Sequence, residues 1–172
     1  MEENKTNIQL RAADHHDLAA LSALARATFV AAYGPDMQPD KLEQHLAKVL
    51  SDAQIAEMMT QDVFWVAAHQ HLCGFVQFGM GDAPTQLWIR RLYVDPSVQN
   101  QKLGSRLLQV AMAHPDFQQA SEIYLHVWET NLSAQRFYQR FGFRKVGERP
   151  ELNLDGTLAG ADHVYFRPRQ NS

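Results

Sequence analysis

Tyr124-Leu125-His126-Val127-Trp128-Glu129-Thr130-Asn131-Leu132-Ser133-Ala134-Gln135-Arg136-Phe137-Tyr138-Gln139-Arg140-Phe141-Gly142-Phe143 decides the fold. It reads as a strand through Trp128, a short polar turn, and an amphipathic helix that stops at Gly142. The segment upstream has the same shape: Leu92-Tyr93-Val94-Asp95-Pro96-Ser97-Val98-Gln99-Asn100-Gln101-Lys102-Leu103-Gly104-Ser105-Arg106-Leu107-Leu108. Here a strand ends at a proline, a polar loop follows, and a helix opens around Gly104. The first turn of any helix has N–H groups without intrahelical partners, and its dipole favours negative charge. Such a turn holds a phosphate or diphosphate with backbone donors alone. Gly104 leaves room for close approach, and Lys102, Ser105 and Arg106 add donors. Alone, this second segment is a weak sign, because many strand–helix loops contain one glycine and bind nothing.

Outward from these two units, Ile8–Arg11 alternates as a first strand, and Asp14 and Asp17 offer caps to a helix carrying Leu18, Leu21, Leu24, Ala25 and Phe29 on one face. Gly34-Pro35 stops that helix. Pro39-Asp40 opens a second, striped by Leu42, Leu46, Val49 and Leu50, and Asp52–Met59 makes a shorter third. The period then changes. Val63–Ala68 and Leu72–Phe78 read as a hairpin, followed by a loop from Gly79 to Pro84 and a strand over Gln86–Val94. Leu103–Ala113 is helical, Glu122–Trp128 a strand, Leu132–Arg140 a helix, Phe143–Glu148 a strand, Pro150–Gly160 a loop and Val164–Arg167 a last strand. This order predicts a single domain over residues 1–172, α/β in class, with a mixed sheet.

Composition excludes more than it selects. The 172 residues are 45% hydrophobic and 20% charged, which excludes disordered, collagen-like and coiled-coil classes. Sixteen Lys+Arg against nineteen Asp+Glu, without a basic run, argue against nucleic acid as the main partner. The one cysteine, Cys73, excludes an internal disulfide and a zinc ribbon; on its strand it reads as a small buried residue. With no run of 18 apolar residues, no membrane span is expected, and the polar start Met1-Glu2-Glu3-Asn4-Lys5 lacks a secretion pattern. The expected location is cytoplasmic. His15-His16-Asp17 offers no metal site, since adjacent histidines at a helix start should point apart, and no metal is expected elsewhere. His69 and His71 flank a hairpin turn, Trp65, Phe75, Phe78 and Trp88 read as core, and Arg90-Arg91 reads as a strand edge.

Taken together, the two segments resemble the GCN5-related N-acetyltransferase (GNAT) family. That family's V-x-P-x-x-Q/R-x-x-G-x-G/A loop is matched by Val94, Pro96, Gln99 and Gly104. Its N-x-x-A-x-x-F-Y-x-x-x-G-F helix is matched by Asn131, Ala134, Phe137, Tyr138, Gly142 and Phe143. The resemblance runs from about Val63 to Val164, and the early helices fit. It implies a three-layer fold whose twisted mixed sheet splays between two central parallel strands, with helices on both faces and acetyl-CoA in the split. Backbone groups of Leu92 and Val94, with Tyr93 between them, would meet the pantetheine arm and polarise the acetyl carbonyl. Gln99, Asn100, Gln101, Lys102, Leu103, Gly104 and Ser105 would cradle the pyrophosphate. Asn131 and Ser133 would bind the cofactor, and Tyr138 would lie near the sulfur as general acid. A phenol with a pKa of about 10 suits a departing thiolate of comparable basicity. The family's first loop glycine is Lys102 here, and a lysine cannot adopt φ > 0 cheaply, so a local difference in the loop is expected.

The amine must lose a proton before attack. Where many relatives carry a glutamate, this strand reads Trp88-Ile89-Arg90-Arg91, so Glu129 is the candidate base, against a plainer reading as a turn residue. His126, three residues earlier, has the chemistry to relay a proton, although a packed histidine is the plainer role. Val127-Trp128-Glu129-x-Asn131 and Thr28-Phe29-x-x-x-x-Tyr33 resemble bacterial members that acetylate spermidine and related polyamines. Asp36, Glu43 and Glu129, with Tyr33 and Trp65 or Trp88, would supply the carboxylates and aromatic faces that such cations need. Another small-molecule amine, an antibiotic or a protein N-terminus fits equally. The expected reaction is direct attack of a primary amine on acetyl-CoA, and the resemblance is compatible with a homodimer. The alternative is an inactive acyl-CoA-binding sensor or interaction module on the same fold, motivated by Lys102 and the missing strand carboxylate.

Overall fold

The computed structural model describes residues 8–98, 102–153 and 155–169. Its strands are β1 (Gln9–Ala12), β2 (Val63–Ala68), β3 (Leu72–Met80), β4 (Gln86–Val94), β5 (Glu122–Trp128), β6 (Arg144–Leu152) and β7 (Leu158–Pro168). Its helices are α1 (Leu18–Tyr33), α2 (Pro39–Val49), α3 (Asp52–Gln61), α4 (Leu103–Ala113), α5 (Pro115–Gln119) and α6 (Leu132–Arg140). The strands form one mixed sheet in the order β1-β2-β3-β4-β5-β7-β6, with helices on both sides. The β4–β5 pair is parallel, running from Gln86↔Glu122 to Ile89↔Leu125. The β1–β2, β2–β3, β5–β7 and β6–β7 pairs are antiparallel.

The chain gathers into two compact units, one of residues up to Phe78 with Arg91–Ala113, the other of Gly79–Arg90 with residues from His114 onward. In the first, α1 contributes Leu21, Leu24 and Ala25, α3 contributes Ile55, and β2 and β3 add Phe64, Val66, Leu72 and Phe75 to one apolar cluster. Successive strand residues face opposite ways, so Phe75 joins that cluster while Gly74 meets Leu107 of α4. Each fully buried Leu or Phe contributes roughly 1.5–3 kcal/mol. In the second unit the alternate residues Ile123, Leu125 and Val127 of β5 are buried, as are Tyr165, Tyr138 and Phe143.

Four expectations need correction. The segment predicted as a loop from Pro150 to Gly160 is mostly the far end of the β6–β7 hairpin, with register Pro150↔Ala161 and Leu152↔Leu158. Pro150 is tolerated because β6 is the last strand of the sheet and need not donate on its open side. The helix α5 was not expected, being too short for periodicity to register. His15 and His16 do not point apart: their ring centroids lie 3.8 Å from each other because the cap on Asp14 folds them into a tight turn. With Asp14 they offer ligand atoms within 4.8 Å of one another, all exposed. Finally, His15–Asp36 is long and apolar enough to span a membrane by length and composition. Within this unit α1 buries Leu21, Ser22, Leu24, Ala25 and Thr28.

Candidate active site

In the first unit the β4–α4 arm is set by a close approach of strands. A Cβ on Gly74 would lie 2.9 Å from the Tyr93 carbonyl oxygen and 3.4 Å from the Val94 Cα, so only glycine lets β4 run this near β3. The Asp95 N–H donates to the Cys73 carbonyl at 2.8 Å, and the Asp95 carboxylate accepts from the Ser97 N–H at 2.8 Å. That bond holds the Asp95 carboxyl below the usual range and fixes the turn at Pro96. The Tyr93 ring packs edge-on against Phe75, 5.4 Å between centroids, and burial pushes its phenol up to about 12. Tyr93 therefore has only its backbone to offer a cofactor, beside those of Leu92 and Val94. Cys73 is buried, as expected.

Gln99, Asn100 and Gln101 lie outside the described residues. Lys102 has φ 54°. The lysine thus adopts the left-handed conformation that its side chain was expected to oppose, and α4 follows at once. The Arg106 N–H already donates to the Lys102 carbonyl, so Leu103, Gly104 and Ser105 form the first turn, whose N–H groups have no intrahelical acceptor. Three outward amides at the positive end of an 11-residue helix fit a diphosphate. Arg106 does not add to them as expected, since its Nη2 donates to the Ile8 carbonyl at 2.8 Å. Arg91 is not an exposed edge either: its Nη1 donates to Gln77, whose amide donates to Asp62. Asp36 and Glu43 are exposed in this unit, the Tyr33 ring lies tilted against Phe29 at 4.8 Å, and Trp65 is half-buried.

The second unit carries the other candidates. The Glu129 N–H donates to the Ala161 carbonyl at 3.0 Å, and Glu129 Oε1 accepts from the Ala161 N–H at 3.2 Å. A Cβ on Gly160 would lie 2.5 Å from the Trp128 ring and 2.6 Å from Glu129 Oε1, so glycine seats both side chains against β7. Asn131 Oδ1 accepts from the Ala134 N–H at 3.1 Å, making Asn131 the cap of α6 and leaving its amide nitrogen for a ligand. Ser133 is exposed in the first turn. Tyr138 is buried between Phe137 and Phe143. Sequence reasoning missed Gln135, whose Nε2 donates to the Glu129 carbonyl at 2.8 Å and whose Oε1 accepts from the Tyr165 hydroxyl. Its only signal was the four-residue step from Asn131. Trp88 stacks on Tyr124 at 5.1 Å and meets His126 edge-on at 4.9 Å.

Comparison with known proteins bears on this arrangement. Residues 18–143 match the model of the acetyltransferase (GNAT) family. The chain is 26% identical over 152 residues to an uncharacterized N-acetyltransferase of Lactobacillus delbrueckii subsp. lactis, covering 83% of this chain and 88% of that protein. It is 32% identical over 84 residues to the spermine/spermidine N(1)-acetyltransferase of Bacillus subtilis, covering 45% and 55%. Among solved structures, the PaiA N-acetyltransferase of Thermoplasma acidophilum in complex with coenzyme A has the same fold. Its TM-score is 0.74 at 20% identity, over 95% of this chain and 99% of that one.

Proposed function

This chain belongs to the acetyltransferase (GNAT) family and is an acetyl-CoA-dependent N-acetyltransferase; from that premise we propose that its acceptor is a small primary amine of the polyamine kind. The observation that carries the acceptor reading is Glu129. Its carboxylate is fixed by Ala161 through one oxygen and sits beside the Trp128 ring, and a carboxylate next to an aromatic face suits an alkylammonium. The similarity to a spermine/spermidine acetyltransferase supports the same class.

When bound, acetyl-CoA supplies an activated acyl group. The backbone of Leu92, Tyr93 and Val94 would orient it, with the Val94 N–H placed to stabilise charge on the carbonyl oxygen. The amides of Leu103, Gly104 and Ser105, with Lys102 and the preceding Gln99, Asn100 and Gln101, would take the diphosphate. Asn131 and Ser133 would hold the cofactor at α6. Tyr138 donates a proton to the leaving sulfur, and Glu129 receives one from the acceptor nitrogen.

A thiol-release assay with acetyl-CoA and a panel of spermidine, spermine, putrescine, an amino acid and a peptide N-terminus tests this. Release is expected first with spermidine or spermine. Release only with the amino acid or peptide overturns the polyamine reading. Tyr138→Phe should lower turnover by at least about tenfold with acetyl-CoA KM unchanged. Wild-type turnover in that variant removes Tyr138 from the reaction.

A further inference from the structure

The acceptor nitrogen enters as an ammonium and leaves as an amide. It loses two protons while the C–N bond forms and the C–S bond breaks. One proton is balanced by that which Tyr138 gives to sulfur, and the other is released to water. Glu129 accounts for one loss. The other must come first, because an ammonium has no lone pair with which to attack.

We propose that His126 is the imidazole that takes this first proton from the acceptor amine. The assignment rests on the amine-acceptor reading above and extends it. Three observations place the residue. The parallel pairing of β4 with β5 stops at Ile89↔Leu125, so His126 is the first β5 residue past the ladder. On β5, Ile123, Leu125 and Val127 are buried, and His126 shares the opposite face with Tyr124 and Trp128. Trp128 is the ring beside Glu129 already assigned to the acceptor.

The surroundings keep the imidazole neutral and its lone pair open. Trp88 of β4 covers one edge of the ring, and Val164 of β7 is its register partner. The charged groups facing it are Arg149 and Glu151 of β6 and Asp162 of β7. Arg149 is paired to both carboxylates, at 2.7 and 2.9 Å, which offsets its charge and leaves one net negative charge on the trio. Burial is the main cause that lowers the His126 pKa; Arg149 acts in the same direction, and Asp162 and Glu151 oppose it. At neutral pH the ring is thus a proton acceptor. It makes no hydrogen bond among the described residues and is only half-buried, so a captured proton can leave to water. His163, the register partner of Val127 on the neighbouring strand, contrasts with it: its Nδ1 is buried without a partner and its Nε2 stands 3.5 Å from Glu148.

The test is the pH profile of kcat/KM for spermidine in wild type and His126→Gln, read by thiol release. The variant should lose about a hundredfold at pH 7, with the loss shrinking to about threefold or less near pH 9.5, where free amine becomes abundant. Acetyl-CoA KM should stay within about twofold. A loss equal at every pH, or no loss, overturns the assignment. Should His126→Gln fail to bind acetyl-CoA, His126→Ala with added free imidazole decides: restored turnover supports the proposal, and no restoration overturns it. Wild-type protein that releases thiol with no amine overturns the acceptor reading and this one together, whereas an active wild type with a pH-independent variant overturns only His126.

Discussion

Gly74→Ala puts the close approach of β3 and β4 under direct test. The new methyl would sit 2.9 Å from the Tyr93 carbonyl oxygen and 3.2 Å from Leu107 Cδ1. Carbon–oxygen contacts begin at roughly 3.3 Å, so β4 must give by roughly 0.4 Å. Leu107 is a side-chain neighbour and can yield, but the carbonyl is backbone and carries the strand with it. Overpacking of this kind costs about 1–3 kcal/mol, which in a chain of this length lowers Tm by roughly 3–9 °C. The displaced backbone is the stretch assigned to orient the thioester, and a misplacement of ~1 Å can cost ~100-fold in rate, so turnover should fall roughly tenfold. Differential scanning calorimetry and steady-state thiol release measure both effects on one sample. Gly147→Ala is the control: nothing lies within 4 Å of its Cβ, and it should stay within about 0.5 kcal/mol of wild type. A Gly74→Ala protein with wild-type Tm and turnover would show that the strand contact does not constrain the site.

Lys102→Gly should stabilise the protein. Left-handed backbone costs a non-glycine residue about 1–2 kcal/mol and the extra freedom of glycine returns about 0.5–1, a net gain near ~1 kcal/mol or ~2–4 °C in Tm; no gain removes the strain reading. The Arg11 guanidinium bonds both oxygens of Asp17 at 2.7 Å and holds that carboxyl below its ordinary value. A depressed carboxyl stabilises the fold above its unfolded pKa, and that contribution is lost as pH falls through the folded value. Arg11→Met should therefore lower Tm fully at pH 7, with the difference from wild type closing below about pH 4; a gap that persists at acid pH refutes the linkage.

Much of this was legible in the residues themselves. Strands β4 and β5 and helices α4 and α6 lie on the bounds that hydrophobic period, Pro96 and Gly142 predict, because each is long enough for a local pattern to decide it. The Asn131 cap and the Phe137-Tyr138 pair were readable for the same reason. The hairpin beyond Pro150 was not. Its residues are mostly exposed on both faces, so no alternation marks them, and partnership with β7 alone makes them a strand. Lys102 was misjudged because intrinsic preference opposes φ > 0, and the surrounding fold overrides it.

The order of elements and the identity of the two motif segments follow from sequence, since propensity, period and capping act over a few neighbouring residues. The fate of the polar side chains was decided only by tertiary structure. Glu129 is seated by Ala161 and Gln135 is shared with Tyr165, partners some thirty positions away that the antiparallel β5–β7 register brings alongside. Arg106 is spent on Ile8, and His126 is left half-buried with no hydrogen bond among the described residues. A hydrogen bond is satisfied by whichever group the fold delivers, and nothing local encodes which one that will be.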